Sequence, residues 1–254
     1  MRIDLNSDMG ESFGAWHMGD DQGLLEQVSS ANIACGFHAG DPQTIARTVA
    51  LATERKVAIG AHPSLPDLQG FGRRNMQITE AEAYALTLYQ AAALQGFAHA
   101  AGNPMRHVKA HGALYNMAAK DARLASGICR AVRDLDATLV MFVLAGSVMA
   151  DVARDLGLTV AQEVFADRTY QDDGSLTPRN QPGAMITELD RSIAQVRRMV
   201  AEGHVRSLSG ADVAIQADTI CLHGDQPGAA SFARAIRASL EADGIAIGPV
   251  ARAG

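Results

Sequence analysis

The stretch Ser30-Ala-Asn-Ile-Ala-Cys-Gly-Phe-His-Ala-Gly-Asp-Pro42 constrains the fold more than any other part of the chain. Ala31 to Phe37 is a nearly all-apolar run, too short for a mature helix and suited to a strand buried on both faces. It ends at His38, a side chain able to bind metal or move a proton near neutral pH. Asp41 has the chemistry of a helix N-cap, and Pro42 stands where a helix tolerates a missing N–H. A buried strand therefore delivers a histidine, and a helix begins at once. The pattern recurs. Val57 to Ala61 leads to His62-Pro63, His107 to His111 carries Lys109 and His111 on one side by the period of two, and Thr219 to Leu222 leads to His223-Gly-Asp225.

Further strands are expected at Ile3–Asp8, Thr138–Leu144 and Thr159–Phe165, making seven strand–helix units, with a small hairpin at Val205–Ile215 and a short closing segment at Ile245–Ile247. Helices are signalled by Leu24, Leu25 and Val28, by a Thr79/Glu82 capping box, by Leu124, Ile128, Val132 and Leu135, by Ser147 as a cap with Gly157 as a stop, by Thr187 before Ile193, Val196 and Val200, and by Phe232, Ile236 and Leu240. No linker or low-complexity stretch divides the chain, so residues 1–254 are expected to form a single domain. Alternating strands and helices at this length imply an α/β fold with a closed, TIM-like (β/α)7 barrel. An open doubly wound sheet is the alternative. The lack of GxGxxG or GxxxxGK[ST] weakens its nucleotide-binding version.

Composition limits the partners. A formal charge of −6 argues against a nucleic-acid backbone, and no apolar run reaches the ~20 residues of a membrane span. Charges at Arg2, Asp4 and Asp8 stand where a leader would be apolar, so a cytoplasmic protein is expected. Cys35, Cys129 and Cys221 are far apart with no CxxC, and small core hydrophobes are the expected reading.

In parallel barrels catalytic groups sit at the carboxyl ends of strands. Those ends supply Asp8 and Glu11, His38 and Asp41, His62, Lys109 and His111, Glu163 and Asp167, and His223 and Asp225. One such histidine is usually structural. Four at equivalent ends of different strands are not, because a barrel core wants apolar groups and a buried polar group needs a partner. Three uses compete. Asp8, His62 and His111 could ligate a divalent metal that activates water. The same residues could act as metal-free acids and bases. Or His38, His62 and Lys109 could line a site for an anion or a transferring phosphoryl group. In the loops beyond, Arg73 and Arg179 are candidate clamps for a carboxylate or phosphate.

Asp4-Leu-Asn-Ser-Asp8, Gly10-Glu-Ser-Phe-Gly14, the Ser30–Pro42 stretch, Gly60-Ala-His-Pro63, Gly70-Phe-Gly-Arg-Arg74, His111-Gly-Ala-Leu-Tyr-Asn116, Glu163-Val-Phe-Ala-Asp-Arg168 and Cys221-Leu-His-Gly-Asp225 together resemble the LamB/YcsF family along nearly the whole chain. Ser7 and Ala110 depart from the family's usual Cys and Pro. The resemblance implies a seven-stranded barrel similar to the glycoside hydrolase/deacetylase group. It implies ATP-dependent opening of 5-oxo-L-proline to L-glutamate, with ATP carrying Mg as its counter-ion and with two partners, the B and C subunits of 5-oxoprolinase. On that basis Asp8, Glu11 and His111 are expected to act as acids and bases, and His38, His62 and Lys109 to stabilise an oxyanion or phosphate. Asp41, Arg73, Glu163, Asp167, Arg179, His223 and Asp225 are the expected substrate-binding set. A bound metal, and association of several copies of the chain, stay open. The rival readings are a metal-dependent deacetylase of a small amide or sugar, and a non-catalytic protein that presents substrate to its partners.

Overall fold

A computed structural model describes residues 1–223 and 228–251. Asp225, expected among the substrate-binding residues, lies outside them.

Seven parallel strands close on themselves: β1 (Arg2–Met9), β2 (Ser30–Ala34), β3 (Ala58–His62), β4 (His107–Lys109), β5 (Val140–Leu144), β6 (Thr159–Phe165) and β9 (Thr219–Leu222), the last pairing with both β6 and β1. The expected closed barrel is therefore present. A two-residue strand, β10 (Ala246–Ile247), adds to Arg2 and Ile3 at the start of β1. The hairpin β7 (His204–Arg206) and β8 (Asp212–Ala214) stands apart, antiparallel. No helix among the described residues is long and apolar enough to cross a membrane.

Local chemistry explains the outer helices. α2 (Pro42–Glu54) starts with Asp41 Oδ1 accepting from the N–H groups of Gln43 and Thr44, both at 2.9 Å. α3 (Glu80–Ala100) opens on the expected capping box, Glu82 N–H on the Thr79 hydroxyl and Thr79 N–H on the Glu82 carboxylate. α5 (Ala122–Leu135) buries Leu124, Ile128 and Val132. α7 (Leu189–Glu202) stops at Gly203, whose φ of 68° is left-handed. α1 (Asp21–Leu25), α6 (Val148–Asp155) and α8 (Ala229–Ala242) complete the shell, together with α4 (Gly112–Ala118), a short helix the apolar pattern does not announce.

Three expectations need correction. β2 ends at Ala34 rather than Phe37, because Gly36 N–H turns back onto the Ala39 carbonyl at 2.8 Å, so His38 sits in a loop that folds inward. Ser147 occupies the N-cap position of α6 without donating or accepting a capping bond. α7 begins at Leu189 with Glu188 as N-cap, not at Thr187. In the loop Thr169–Gly183, Tyr170 is buried, and its hydroxyl accepts from Phe165 N–H at 2.8 Å.

The barrel interior is polar along one column. Period-two geometry turns Asp4, Asn6 and Asp8 of β1 inward. Asp4 accepts from the hydroxyls of Ser29, Ser30 and Thr219 at 2.6, 2.7 and 2.5 Å. Asn32 of β2 donates to Asn6 and to Asp8, and accepts from His107 Nε2 at 2.7 Å. His107 fits because β3 has a glycine opposite: a Cβ on Gly60 would overlap the His107 ring at Nε2. Burial holds the His107 imidazole down to about 3, so it is neutral, a core residue stacked on Phe142 at 4.1 Å.

Candidate active site

The carboxyl ends of the strands converge on a cavity of about 930 Å³, a usual size for a small-molecule site. Asp8, Glu11, His62, Lys109, His111, Phe165 and His223 line it at the strand ends, and Arg73, Arg74, Lys120, Arg168 and Arg179 on its walls.

Lys109 is the centre of the floor. Its Nζ, almost fully buried, lies 2.9 Å from Asp8 Oδ1, 2.8 Å from Glu163 Oε1, 3.1 Å from Cys221 Sγ and 3.3 Å from Asn6 Oδ1. Burial disfavours the ammonium, but the carboxylates of Asp8 and Glu163 outweigh it and hold Lys109 well above its ordinary range. Burial likewise pushes the Asp8 carboxyl up, yet His62 and Lys109 prevail and keep it well below the usual carboxylate range. The pair is a fixed cation beside a fixed anion. Glu163 is completed by the Tyr115 hydroxyl at 2.7 Å. Burial raises the Cys221 thiol well above normal, so it meets Lys109 as a neutral group.

A second layer holds three imidazoles. His62 Nδ1 reaches the Lys109 carbonyl at 2.8 Å, and its Nε2 lies 3.3 Å from Asp8 Oδ2. His111 Nδ1 lies 2.9 Å from His62 Nε2, and His111 Nε2 meets the Phe71 carbonyl at 2.8 Å. That carbonyl is delivered by the loop after β3, where Gly72 (φ 63°) packs so tightly that an added Cβ would lie 2.9 Å from His111 Cδ2. His38 stacks flat on His111, centroids 3.8 Å apart at 5°, with its Nε2 3.5 Å from Glu11 Oε1. Burial first, and then the neighbouring imidazoles, hold both His38 and His111 well below the ordinary histidine range. On the other side His223 Nδ1 binds Asp167 at 2.7 Å, with Phe165 stacked on its ring. Burial raises the Asp167 carboxyl, but His223 overrides it and keeps Asp167 below normal.

The fold thus gathers Asp8, Glu11, His38, His62, Lys109 and His111 into one cluster. His223 joins it, with a ligand atom within 4.8 Å of one on Asp8. Glu163 lies beneath Lys109, fully buried and off the cavity surface. Arg73 and Arg179 both line the walls; Arg73 lies over the Phe71 ring at 4.8 Å. Asp41 is placed elsewhere: its oxygens accept from Gly14, Gln43 and Thr44, so it caps α2 and ties down the loop after β1 instead of facing the cavity. Arg168 serves the 169–183 loop, bonding the Thr177 carbonyl at 2.5 Å, while Arg74 is tied to Asp67. Ser7, at the position of the family's usual cysteine, donates to the Leu222 carbonyl at 2.6 Å.

Three residues of the site, Asn6, Asn32 and Tyr115, lie inside the family motifs but are given no role by the sequence. The two asparagines do carry a usable signal, since each is polar at an inward position of a strand that must be buried. Cys221, a core hydrophobe by sequence pattern, is a buried neighbour of the Lys109 ammonium.

The LamB/YcsF family profile matches residues 3–254. The chain is 66% identical over 245 residues to the 5-oxoprolinase A subunit of Bordetella pertussis, covering 96% of this chain and 97% of that protein. It is 57% identical over 246 residues to the 5-oxoprolinase A subunit of Bacillus subtilis, covering 97% and 96%. Among solved structures, the lactam utilization protein of Thermus thermophilus superposes with a TM-score of 0.93 at 46% identity, covering 98% of this chain and 100% of that one.

Proposed function

Because the chain belongs to the LamB/YcsF family along residues 3–254, we propose that it works as the A component of an ATP-dependent 5-oxoprolinase, opening 5-oxo-L-proline to L-glutamate with B and C partner subunits. The observation that carries the reading is a cavity with cationic walls, in a chain of net charge −6, above a fixed Lys109–Asp8 pair. Such a cavity recruits an anion, and both 5-oxoprolinate and ATP are anions.

A five-membered lactam is a stable amide and reacts slowly with water. Moving the γ-phosphoryl group of ATP to the lactam oxygen releases ADP and leaves an O-phosphorylated iminium, a better electrophile at the ring carbonyl carbon. Water adds there and gives up a proton. Cleavage of the ring C–N bond, with a proton delivered to nitrogen, leaves γ-glutamyl phosphate, and a second water displaces the phosphate to yield glutamate. Asp8, held ionised, accepts the proton from water. Lys109 faces the oxygen that gains charge, already paired and oriented before reaction. His223, held through Nδ1 by Asp167, gives the proton to the leaving nitrogen. Arg73 and Arg179 hold the substrate carboxylate.

His111 is not given the acid/base role expected from sequence, since both its nitrogens are engaged, by His62 and by Phe71. Glutamate and phosphate are measured with the purified chain, with and without ATP and with and without the B and C subunits. The reading expects glutamate only when all are present. Amide or acetyl hydrolysis by the chain alone, without ATP, would replace it with the deacetylase reading.

A further inference from the structure

Four residues on consecutive strands lie side by side in the barrel wall. Asp8 of β1 is paired with Asn32 of β2, Asn32 with Gly60 of β3, and Gly60 with His107 of β4. Gly60 has no side chain, and the His107 ring occupies the gap, so a residue of β4 reaches one of β2: His107 Nε2 lies 2.7 Å from Asn32 Oδ1. The hydrogens along this row have one consistent placement. Asp8, held ionised, only accepts, so the Asn32 atom 2.9 Å from Asp8 Oδ1 is the amide nitrogen. The other amide hydrogen goes to Asn6 Oδ1 at 2.7 Å, an oxygen that also faces Lys109 Nζ at 3.3 Å. The Asn32 oxygen is thereby turned towards His107. It has no hydrogen to give, so the neutral His107 ring carries its own on Nε2.

We infer that Asn32, aimed by His107, is a positioning residue for Asp8, and that the row directs the proton taken from water to Asp8 Oδ2. Oδ1 is spent on two donors, Asn32 Nδ2 and Lys109 Nζ, each at 2.9 Å. Oδ2 accepts from His62 Nε2 at 3.3 Å and keeps a lone pair. The ammonium of Lys109 is a compact point charge on a flexible stem, and it leaves the plane of the carboxylate free to turn. A planar amide held at both ends does fix that plane. Asn6 and Asp8 hold the nitrogen of Asn32, and His107 holds its oxygen. Without the His107 hydrogen bond that oxygen is left buried with its donor gone, and the amide swings in search of another. Neither Asn32 nor His107 lines the cavity, so both act on the reaction through Asp8.

The orientation of the row stands on hydrogen-bond geometry; its use in lactam opening rests on the function proposed above. Steady-state glutamate formation by the reassembled complex is compared for Asn32→Leu, His107→Leu, the double variant and His107→Gln, each checked for folding by circular dichroism. The expected fall in kcat is about 100-fold for Asn32→Leu and about 10-fold for His107→Leu, with KM for 5-oxoproline within about twofold. The double variant is expected to be no slower than Asn32→Leu, because His107 acts only through the amide. His107→Gln keeps an N–H donor and is expected to recover to within about threefold of the wild-type kcat. Losses that multiply in the double variant, or no recovery with glutamine, overturn the inference. The wild-type chain, which needs no variant to fold, is also read by ¹⁵N NMR with labelled histidine. His107 is expected to carry hydrogen on Nε2 and a lone pair on Nδ1, and the opposite tautomer would equally overturn it. That tautomer in a wild-type complex making no ATP-dependent glutamate would sink the proposed function and leave the orientation of Asn32 standing. An active complex whose losses multiply would do the reverse.

Discussion

Lys109 and Asp4 show opposite ways of placing a charge in a barrel core. Lys109 has its counter-charges in contact, so Lys109→Met would strand Asp8 and Glu163 in low dielectric. The expected cost is about 3–5 kcal/mol of folding stability, read from urea unfolding, with partial recovery when Glu163→Gln is added. Asp4 has hydroxyl donors but no cation, and burial pushes its carboxyl from 3.8 to about 6. Above that value the carboxylate is charged in folded and unfolded chains alike, and the burial cost is fully present. As pH falls through about 6 the folded state takes up the proton first, so stability is gained until the unfolded value of 3.8 is passed. Relative to Asp4→Asn, the wild-type chain is expected to gain up to about 3 kcal/mol between pH 7 and 4. Paired urea curves across that range check it, and a loss over the same interval would refute the burial argument.

At the scale of elements, the sequence displayed whatever depends on near neighbours. Asp41-Pro42, Thr79 with Glu82, and Gly203 fixed helix ends because cap chemistry is local. What it did not display came from contacts across the barrel. The apolar run Ala31 to Phe37 concealed the turn at Gly36, which needs the Ala39 carbonyl to appear. α4 lacks an amphipathic stripe because it packs beneath the loop after β3, and Tyr115 on it finds Glu163 only when β4 and β6 are brought close. Asp41 illustrates the difference: as a strand-end carboxylate it looked like a substrate ligand, and its oxygens are spent on backbone. Asp41→Ala is therefore expected to cost about 1 kcal/mol or slightly more in stability, with the loss of the Gly14 tie included. KM for 5-oxoproline should hardly change. A large rise in KM with unaltered stability would return Asp41 to the binding site.

Across the whole molecule, closure turns seven separate strand ends into one mouth. The histidines at 38, 62, 111 and 223 were visible as a set because each follows a strand. Their division of labour was not, because it depends on which ring nitrogen meets which carbonyl, a fact set by loops far apart in sequence, as between Phe71 and His111. The cationic wall was half visible: Arg73 and Arg179 were expected there, and Arg74 and Arg168 line the cavity as well while also binding Asp67 and backbone carbonyls. The central claim is that the Asp8–Lys109 pair at this mouth performs the lactam chemistry. It is tested most directly by steady-state glutamate formation from 5-oxoproline and ATP in the reassembled complex carrying Asp8→Asn. The rate is predicted to fall by about 10²–10⁴-fold while the complex still assembles; a rate within about twofold of the wild-type complex would place the chemistry elsewhere.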